Sequence, residues 1–324
     1  MKLTRLSAVL AASAMLLSNP SLADPVEMRL ATGTPPSHVW SQAAFRFAEE
    51  VASASDGEIT IAVFPASQLG PENDQLQQLQ VGVLDMAIIS AAAASSRAPA
   101  FLAWFSPFAM PDVEATIAAS KTEVAGKILN ELNPLGIKGM GYVFAGMRHI
   151  LMAKDPVTSL ADLEGKKIRI TPFPGMQVWW QAAGAVPTPV QLADVYQSLN
   201  SGLLDGVDID LDALVGFSMQ QVADHLIATN HMAFPGVAMI TQGAWDRMDA
   251  GQQEIFTRVM GESLDWAAAK QIATEAANMA LLEGEMTVTH PENAKAMFAS
   301  ANDAFNAAFS DIALVAEFQA QIAN

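Results

Sequence analysis

Cysteine is absent from all 324 residues, which excludes disulfides, thiolate metal sites and a cysteine nucleophile. Basic side chains are scarce: 17 Lys and Arg stand against 34 Asp and Glu, a formal net charge of -17. A surface of that sign repels a phosphate backbone, so nucleic acid is not an expected partner. Phosphate-binding and nucleophile signatures are missing too, since no G-x-G-x-x-G, G-x-x-x-x-G-K-[ST] or G-x-S-x-G occurs. No nucleotide or other cofactor is expected, and an enzyme reading has no motif behind it. The five histidines, His38, His149, His225, His231 and His290, show neither H-E-x-x-H nor H-x-x-x-H spacing. Hydrophobic residues nevertheless make up 51% of the chain. A sizeable core can form, and beyond the start of the chain no apolar run approaches the roughly 18 residues of a membrane span.

The first 23 residues have the three parts of a secretory signal: Lys2 and Arg5, an apolar stretch from Leu6 to Leu17, and Ser21-Leu22-Ala23 as a small-residue cleavage site. The expected destination is a bacterial periplasm.

An approximate repeat organises the rest of the chain. Residues 79–87 and 199–207 share L-x-x-G-x-L-D at an offset of 120. In each copy a glycine, Gly82 or Gly202, falls where a helix takes a left-handed residue to end, and the apolar run after Asp85 or Asp205 suits a buried strand. Each copy also has a strand upstream, Ile59 to Phe64 and Lys167 to Thr171. The pattern predicts an α/β fold of two β-α-β lobes with parallel sheets and a ligand cleft between them. Residues 24–145 with about 236–275 are assigned to the first lobe, and 146–235 with about 276–324 to the second. Crossing strands, and with them a hinge, are expected near Ala145 to Arg148 and Phe234 to Val237. From Asp249 a long helix is predicted, with Gln252 completing a capping box and Phe256, Val259, Met260, Leu264, Ala267 and Ile272 at helical spacing. At about 1.5 Å per residue it is long enough to brace both lobes.

The densest acidic cluster is Asp205, Asp208, Asp210 and Asp212. Alternation puts the last three on one face if the segment is extended. A bound cation is one reading and helix capping with solvated acids the other, because the cluster lacks the glycine and glutamate of a calcium loop. Arg148 and Arg169 sit in or beside strongly apolar strands, where a charge must be paired or face a cleft. Each is open to two readings, an internal salt bridge or a bidentate grip on a ligand carboxylate. Trp40, Trp104, Trp179, Trp180 and Phe234 are candidate cleft walls, with core packing the alternative for each. Ser90, ending the first apolar run, joins the candidate contacts.

The chain closely resembles the solute-binding proteins of TRAP transporters, tripartite ATP-independent periplasmic systems, in their dicarboxylate-type (DctP) family. The resemblance runs from about Met28 to about Phe309. It is carried by Phe64-Pro65-Ala66-Ser67-Gln68-Leu69-Gly70, Asp162 to Arg169, Pro187-Thr188-Pro189 with Asp194-Val195-Tyr196, Gly202-Leu203-Leu204-Asp205-Gly206 and Thr229-Asn230-His231. It implies a two-lobed periplasmic receptor that closes on an organic acid and delivers it to a membrane permease; a monomer is expected. It also implies that Arg169 grips the ligand carboxylate, with Arg148 as a secondary contact. Two positions depart from the family pattern. Ile209 replaces an amide that helps to hold the carboxylate, which disfavours a simple C4 dicarboxylate, and Leu192 replaces a pocket phenylalanine. Asp208 and Asp210 would then accept from hydroxyls, amines or a cation at the far end of a monocarboxylate, hydroxy or keto acid. The competing reading is a periplasmic hydrolase or lyase that uses the acidic cluster with a metal.

Overall fold

The computed structural model describes residues 25–322; the secretory signal lies outside the described residues. Among the described residues eleven strands form two mixed sheets. The first contains β1 (Val26–Thr32), β2 (Ile59–Phe64), β3 (Met86–Ser90), β4 (Ile137–Met147) and, from later in the chain, β10 (Ala233–Thr241), in the order β2-β1-β3-β10-β4. The second contains β5 (His149–Met152), β6 (Lys167–Ile170), β7 (Val186–Pro189), β8 (Gly206–Ile209), β9 (His225–Ile227) and β11 (Thr287–Thr289), in the order β11-β9-β5-β8-β6-β7.

Around the first sheet lie α1 (Val39–Ala54), α2 (Glu72–Gln80), α3 (Ala91–Ser95), α4 (Val113–Ala119) and α5 (Glu123–Asn130). The second carries α6 (Pro174–Ala182), α7 (Val195–Asn200) and α8 (Leu211–Gly216). After β10 come α9 (Gln242–Trp245), α10 (Ala250–Glu285), α11 (Ala294–Met297), α12 (Ala299–Phe309) and α13 (Ala313–Ile322).

The repeat is a real unit of the fold. Gly82 and Gly202 follow α2 and α7 with φ of 71° and 73°, so each helix turns into its strand through a backbone state that favours glycine. The shared aspartates pin the neighbouring strand: Asp85 accepts from the Arg29 amide at 2.8 Å and Asp205 from the Lys167 amide at 2.7 Å. Within each unit the strands run parallel, β2 with β1 and β1 with β3, then β7 with β6 and β6 with β8. The expectation of wholly parallel sheets fails around one strand in each. β10 runs antiparallel to both β3 and β4, and β5 to both β8 and β9, because both are strands that enter from the other sheet rather than from a helical crossover.

Among the described residues the chain passes between the sheets four times: at Arg148 between β4 and β5, over 228–232 between β9 and β10, along α10 into β11, and between α12 and α13. The second passage lies just before the expected Phe234 to Val237, since β10 already belongs to the first sheet from Ala233. At the first, Gly146 has φ of 97°, and a side chain there would run into the Glu275 carboxylate of α10, so close approach demands glycine. α10 begins as expected: the Asp249 carboxylate accepts from the Gln252 amide at 2.8 Å and the Gln252 side chain accepts from the Asp249 amide at 3.0 Å. Its 36 residues bury Phe256, Val259, Met260 and Ala267 and brace α1 and β4. The end of the chain departs from the expected division. α12 packs on α6 beside the second sheet, but α13 returns to the first, where Phe318 is buried 4.8 Å from Trp104. Burying such a ring contributes about 1.5–3 kcal/mol to seating α13, which Val315, also buried, supplements.

Candidate functional site

Between the two sheets lies a cavity of about 200 Å³. From the first sheet's side it is walled by Thr34, His38, Trp40, Ser67 and Glu72, from the second by Arg148, Arg169, Gln191, Leu192, Ile209 and Asp210, and at the crossing by Phe234. Strand ends, loops and the N-terminal ends of α1 and α2 place them, as expected for the edge of an α/β sheet. The loop carrying Phe64 to Gly70 approaches through strained backbone: Ala66 and Ser67 both have positive φ, 51° and 56°, and their amides donate to the Thr34 and Thr32 carbonyls at 2.8 and 3.1 Å.

The two arginines have opposite surroundings. Arg148 is fully buried. Its Nε donates to Asp208 Oδ1 at 2.6 Å, its Nη1 to Asp210 Oδ2 at 2.9 Å and its Nη2 to the Asp208 carbonyl, while its guanidinium lies 4.3 Å from the Phe234 ring centroid. Asp208 also accepts from Trp180 Nε1 at 2.6 Å and from His231 Nε2 at 3.0 Å. Burial opposes its charge, but Arg148, His231 and Trp180 outweigh burial and hold its carboxyl well below the usual range. Burial also lowers His231, in spite of Asp208, so its ring is neutral; it donates through Nε2 and accepts the Thr229 hydroxyl at Nδ1, 2.7 Å away. Asp210 caps α8, accepting from the Ala213 amide at 2.8 Å. Against burial, His38 and Arg148 keep its carboxyl low.

Arg169 is 3% exposed, and its Nε donates to the Val190 carbonyl at 2.9 Å. Among the described residues no carboxylate lies within 4.0 Å of it. Burial and the like charge of Arg148 pull its pKa down to about 9, which leaves the guanidinium charged at neutral pH. It is a buried cation on a cavity wall with its Nη donors uncommitted, the chemistry that a carboxylate completes. On the first sheet's side, Glu72 Oε1 accepts from the Ser90 amide at 2.8 Å and Oε2 from its hydroxyl at 2.5 Å. Burial pushes the Glu72 carboxyl up, while Ser90 and, less, Arg169 pull it back.

The structure brings six of the sequence-predicted residues besides Arg169 to this wall: Arg148, Ile209, Leu192, Asp210, Trp40 and Phe234. Two others lie behind it. Asp208 faces Arg148, Trp180 and His231, because β8 ends at Ile209 and the three acids do not share one extended face. Ser90 caps α3 through the Ala93 amide at 3.0 Å and reaches the cavity only through Glu72. Trp104, Trp179 and Trp180 are core residues. The metal reading of the acidic cluster fails on the same geometry, since the oxygens of Asp208 and Asp210 are committed to Arg148, His231, Trp180 and the α8 amide. Among the described residues no group of three His, Asp or Glu is arranged around a metal position. Sequence reasoning missed Glu72 and Gln191 as wall residues, and His38 as the cap of α1, where its Nδ1 accepts from the Trp40 amide at 3.1 Å.

Residues 30–311 match the family described as bacterial extracellular solute-binding protein, family 7, DctP. A solute-binding protein of Roseobacter denitrificans is 27% identical over 312 residues, covering 96% of this chain and 95% of its own. The C4-dicarboxylate-binding periplasmic protein DctP of Rhodobacter capsulatus is 28% identical over 79% of this chain and 77% of its own. The crystal structure of a TRAP periplasmic solute-binding protein from Bradyrhizobium sp. in complex with galacturonate, 26% identical, superposes with a TM-score of 0.85 over 91% of this chain and 99% of that one. The chain therefore belongs to bacterial extracellular solute-binding protein family 7, the periplasmic receptors of TRAP transporters, which bind solutes and are not enzymes.

Proposed function

We propose that this protein works as a monomer, captures a small organic acid with one carboxylate and hands it to the membrane permease of a TRAP transporter. One observation carries the ligand class: Arg169 is a buried, unpaired guanidinium on the wall of a cavity shared by both lobes. A ligand carboxylate supplies the anion that the protein itself gives to Arg148 but withholds from Arg169.

The far end of the ligand meets Glu72 rather than Asp208. A second carboxylate about 4 Å from Glu72 would either cost roughly 4 kcal/mol at an effective dielectric of 20 or require Glu72 to be protonated first. A hydroxyl would instead donate to the ionised side chain, and a keto oxygen would accept from the protonated one. Hydroxy and keto monocarboxylates are thus favoured over succinate and malate. A thermal-shift screen of an organic-acid library tests this, with calorimetry on the hits. The expected result is a raised melting temperature with a monocarboxylate that is recovered chemically unchanged. Tight succinate binding in the wild type would defeat the ligand assignment.

A further inference from the structure

Glu72 and Arg169 face one cavity from opposite lobes, and each is fixed from behind, Glu72 by the amide and hydroxyl of Ser90 and Arg169 by the Val190 carbonyl. They are not paired: more than 4.0 Å separates the carboxylate from the guanidinium. The other charged or titratable groups on this wall have partners of their own. Arg148 is held by Asp208 and Asp210, and His38 lies 3.7 Å from both Asp210 and Asp212. Arg169 is the cation that favours the ionised form of Glu72, and burial is what opposes that form. A ligand carboxylate on Arg169 cancels the favourable charge and adds a negative one to the same enclosed space. Both changes drive Glu72 toward its protonated form.

We propose that capture of an acid at Arg169 is coupled to uptake of one proton at Glu72. This rests on the assignment of Arg169 as the carboxylate site. Coupling of this kind is reciprocal, so protonating Glu72 strengthens capture and a more acid medium tightens the complex. The sign follows from the pKa values: Glu72 titrates at higher pH in the complex than in the free protein, and affinity rises as pH falls between those two midpoints. The steepest dependence for one proton is about tenfold per pH unit. The window lies above 4.5, the ordinary value from which burial has already raised Glu72. Below the midpoint of the free protein the carboxyl is neutral in both states and the dependence vanishes.

The test is carbon-13 NMR of glutamate-labelled protein, with the Glu72 carboxyl signal assigned by its loss in Glu72→Gln. The signal is titrated against pH in the wild type, in the wild type saturated with acetate as a minimal carboxylate probe, and in Arg169→Gln. The expected result is an upward move of the Glu72 midpoint by at least about half a pH unit both in Arg169→Gln and in the acetate-bound wild type, with no effect of acetate in Arg169→Gln. An unchanged midpoint in Arg169→Gln, with acetate still perturbing the Arg169 side-chain resonance in the wild type, overturns the coupling alone. If acetate leaves Arg169 unperturbed, the carboxylate assignment falls and the coupling with it. The acetate arm uses unmutated protein, so the proposal stays falsifiable even if Arg169→Gln fails to fold.

Discussion

The two copies of the repeat do the same structural work and opposite chemical work. Each leaves a helix through a left-handed glycine, pins a neighbouring strand with an aspartate, forms a strand and ends on a residue that caps a short helix. In the first copy that cap is Ser90, neutral, and it hydrogen-bonds a carboxylic acid, Glu72. In the second it is Asp210, charged, and it pairs with a guanidinium, Arg148. The shared positions keep the backbone and the differing ones set the charge. The first lobe brings an acid with no cation beside it. The second brings two cations and satisfies only one, so the electrostatic gap at Arg169 is left for a ligand.

The sharpest way to break the second copy is Asp208→Ala. It removes one of the two carboxylates that hold Arg148, leaving Asp210, and leaves Trp180 Nε1 and His231 without their shared acceptor in a buried site. Removing one partner of a buried pair costs about 3–5 kcal/mol. Chemical denaturation should show a loss of that size, with ligand affinity largely kept in the protein that remains folded. A stability within about 0.5 kcal/mol of wild type, the range of ordinary surface substitutions, would contradict the network. The same pair predicts a pH effect. Asp208 and Asp210 both have folded pKa values below the ordinary 3.8. Their contribution is present above that value and drains away as the pH falls from it toward the lower folded values. Asp210→Asn should therefore flatten the acid limb of the stability curve measured by thermal unfolding across pH.

Arg169→Ala should act in the opposite sense on stability and binding. Losing a desolvated, charge-assisted contact costs about 2–5 kcal/mol of affinity, roughly 30-fold to several thousand-fold. Deleting a buried cation with no counter-ion should leave the melting temperature of the free protein unchanged or higher. Arg169→Lys should rescue poorly, because it lacks the planar fork. Calorimetry with the acid found by screening checks the first outcome and a thermal melt the second; affinity within threefold of wild type would remove Arg169 from the site.

Much of the fold was legible because it repeats. The L-x-x-G-x-L-D match located two helix-to-strand turns, and the Asp249–Gln252 box located the start of α10. The antiparallel β10 and β5 were not legible, since an apolar run such as Ala233–Thr241 gives no sign of the sheet from which its chain arrives. Within the site, Arg169 stood out because a charge amid β6's isoleucines needs a reason. Glu72 did not, because Glu72 and Asp74 open a polar helix and look like ordinary first-turn acids at a helix N-terminus. The signal for it was nevertheless present. The offset of 120 that aligns the copies places Glu72 on Leu192, the wall position already marked as departing from the family pattern.

The mildest perturbation tests whether the two copies are equivalent where they look equivalent. Gly82 and Gly202 share nearly the same positive φ, and a side chain added at either meets no neighbouring atom within 4 Å. Sterics with the surroundings therefore drop out, and what remains is the cost of holding a residue with a Cβ in the left-handed region, about 1–2 kcal/mol. Gly82→Ala and Gly202→Ala should each lose that amount by chemical denaturation, agree with each other within about 0.5 kcal/mol, and add when combined, since distant sites without shared partners are independent. Ligand affinity should not change in either, because both turns lie at the start of their strands and the cavity at the other end. A large difference between the two losses would show that one turn carries a load the other does not. An affinity change confined to Gly202→Ala would tie the β8 turn to the Asp208–Arg148 network behind the cavity, and the division between a shared scaffold and lobe-specific chemistry would have to be redrawn there.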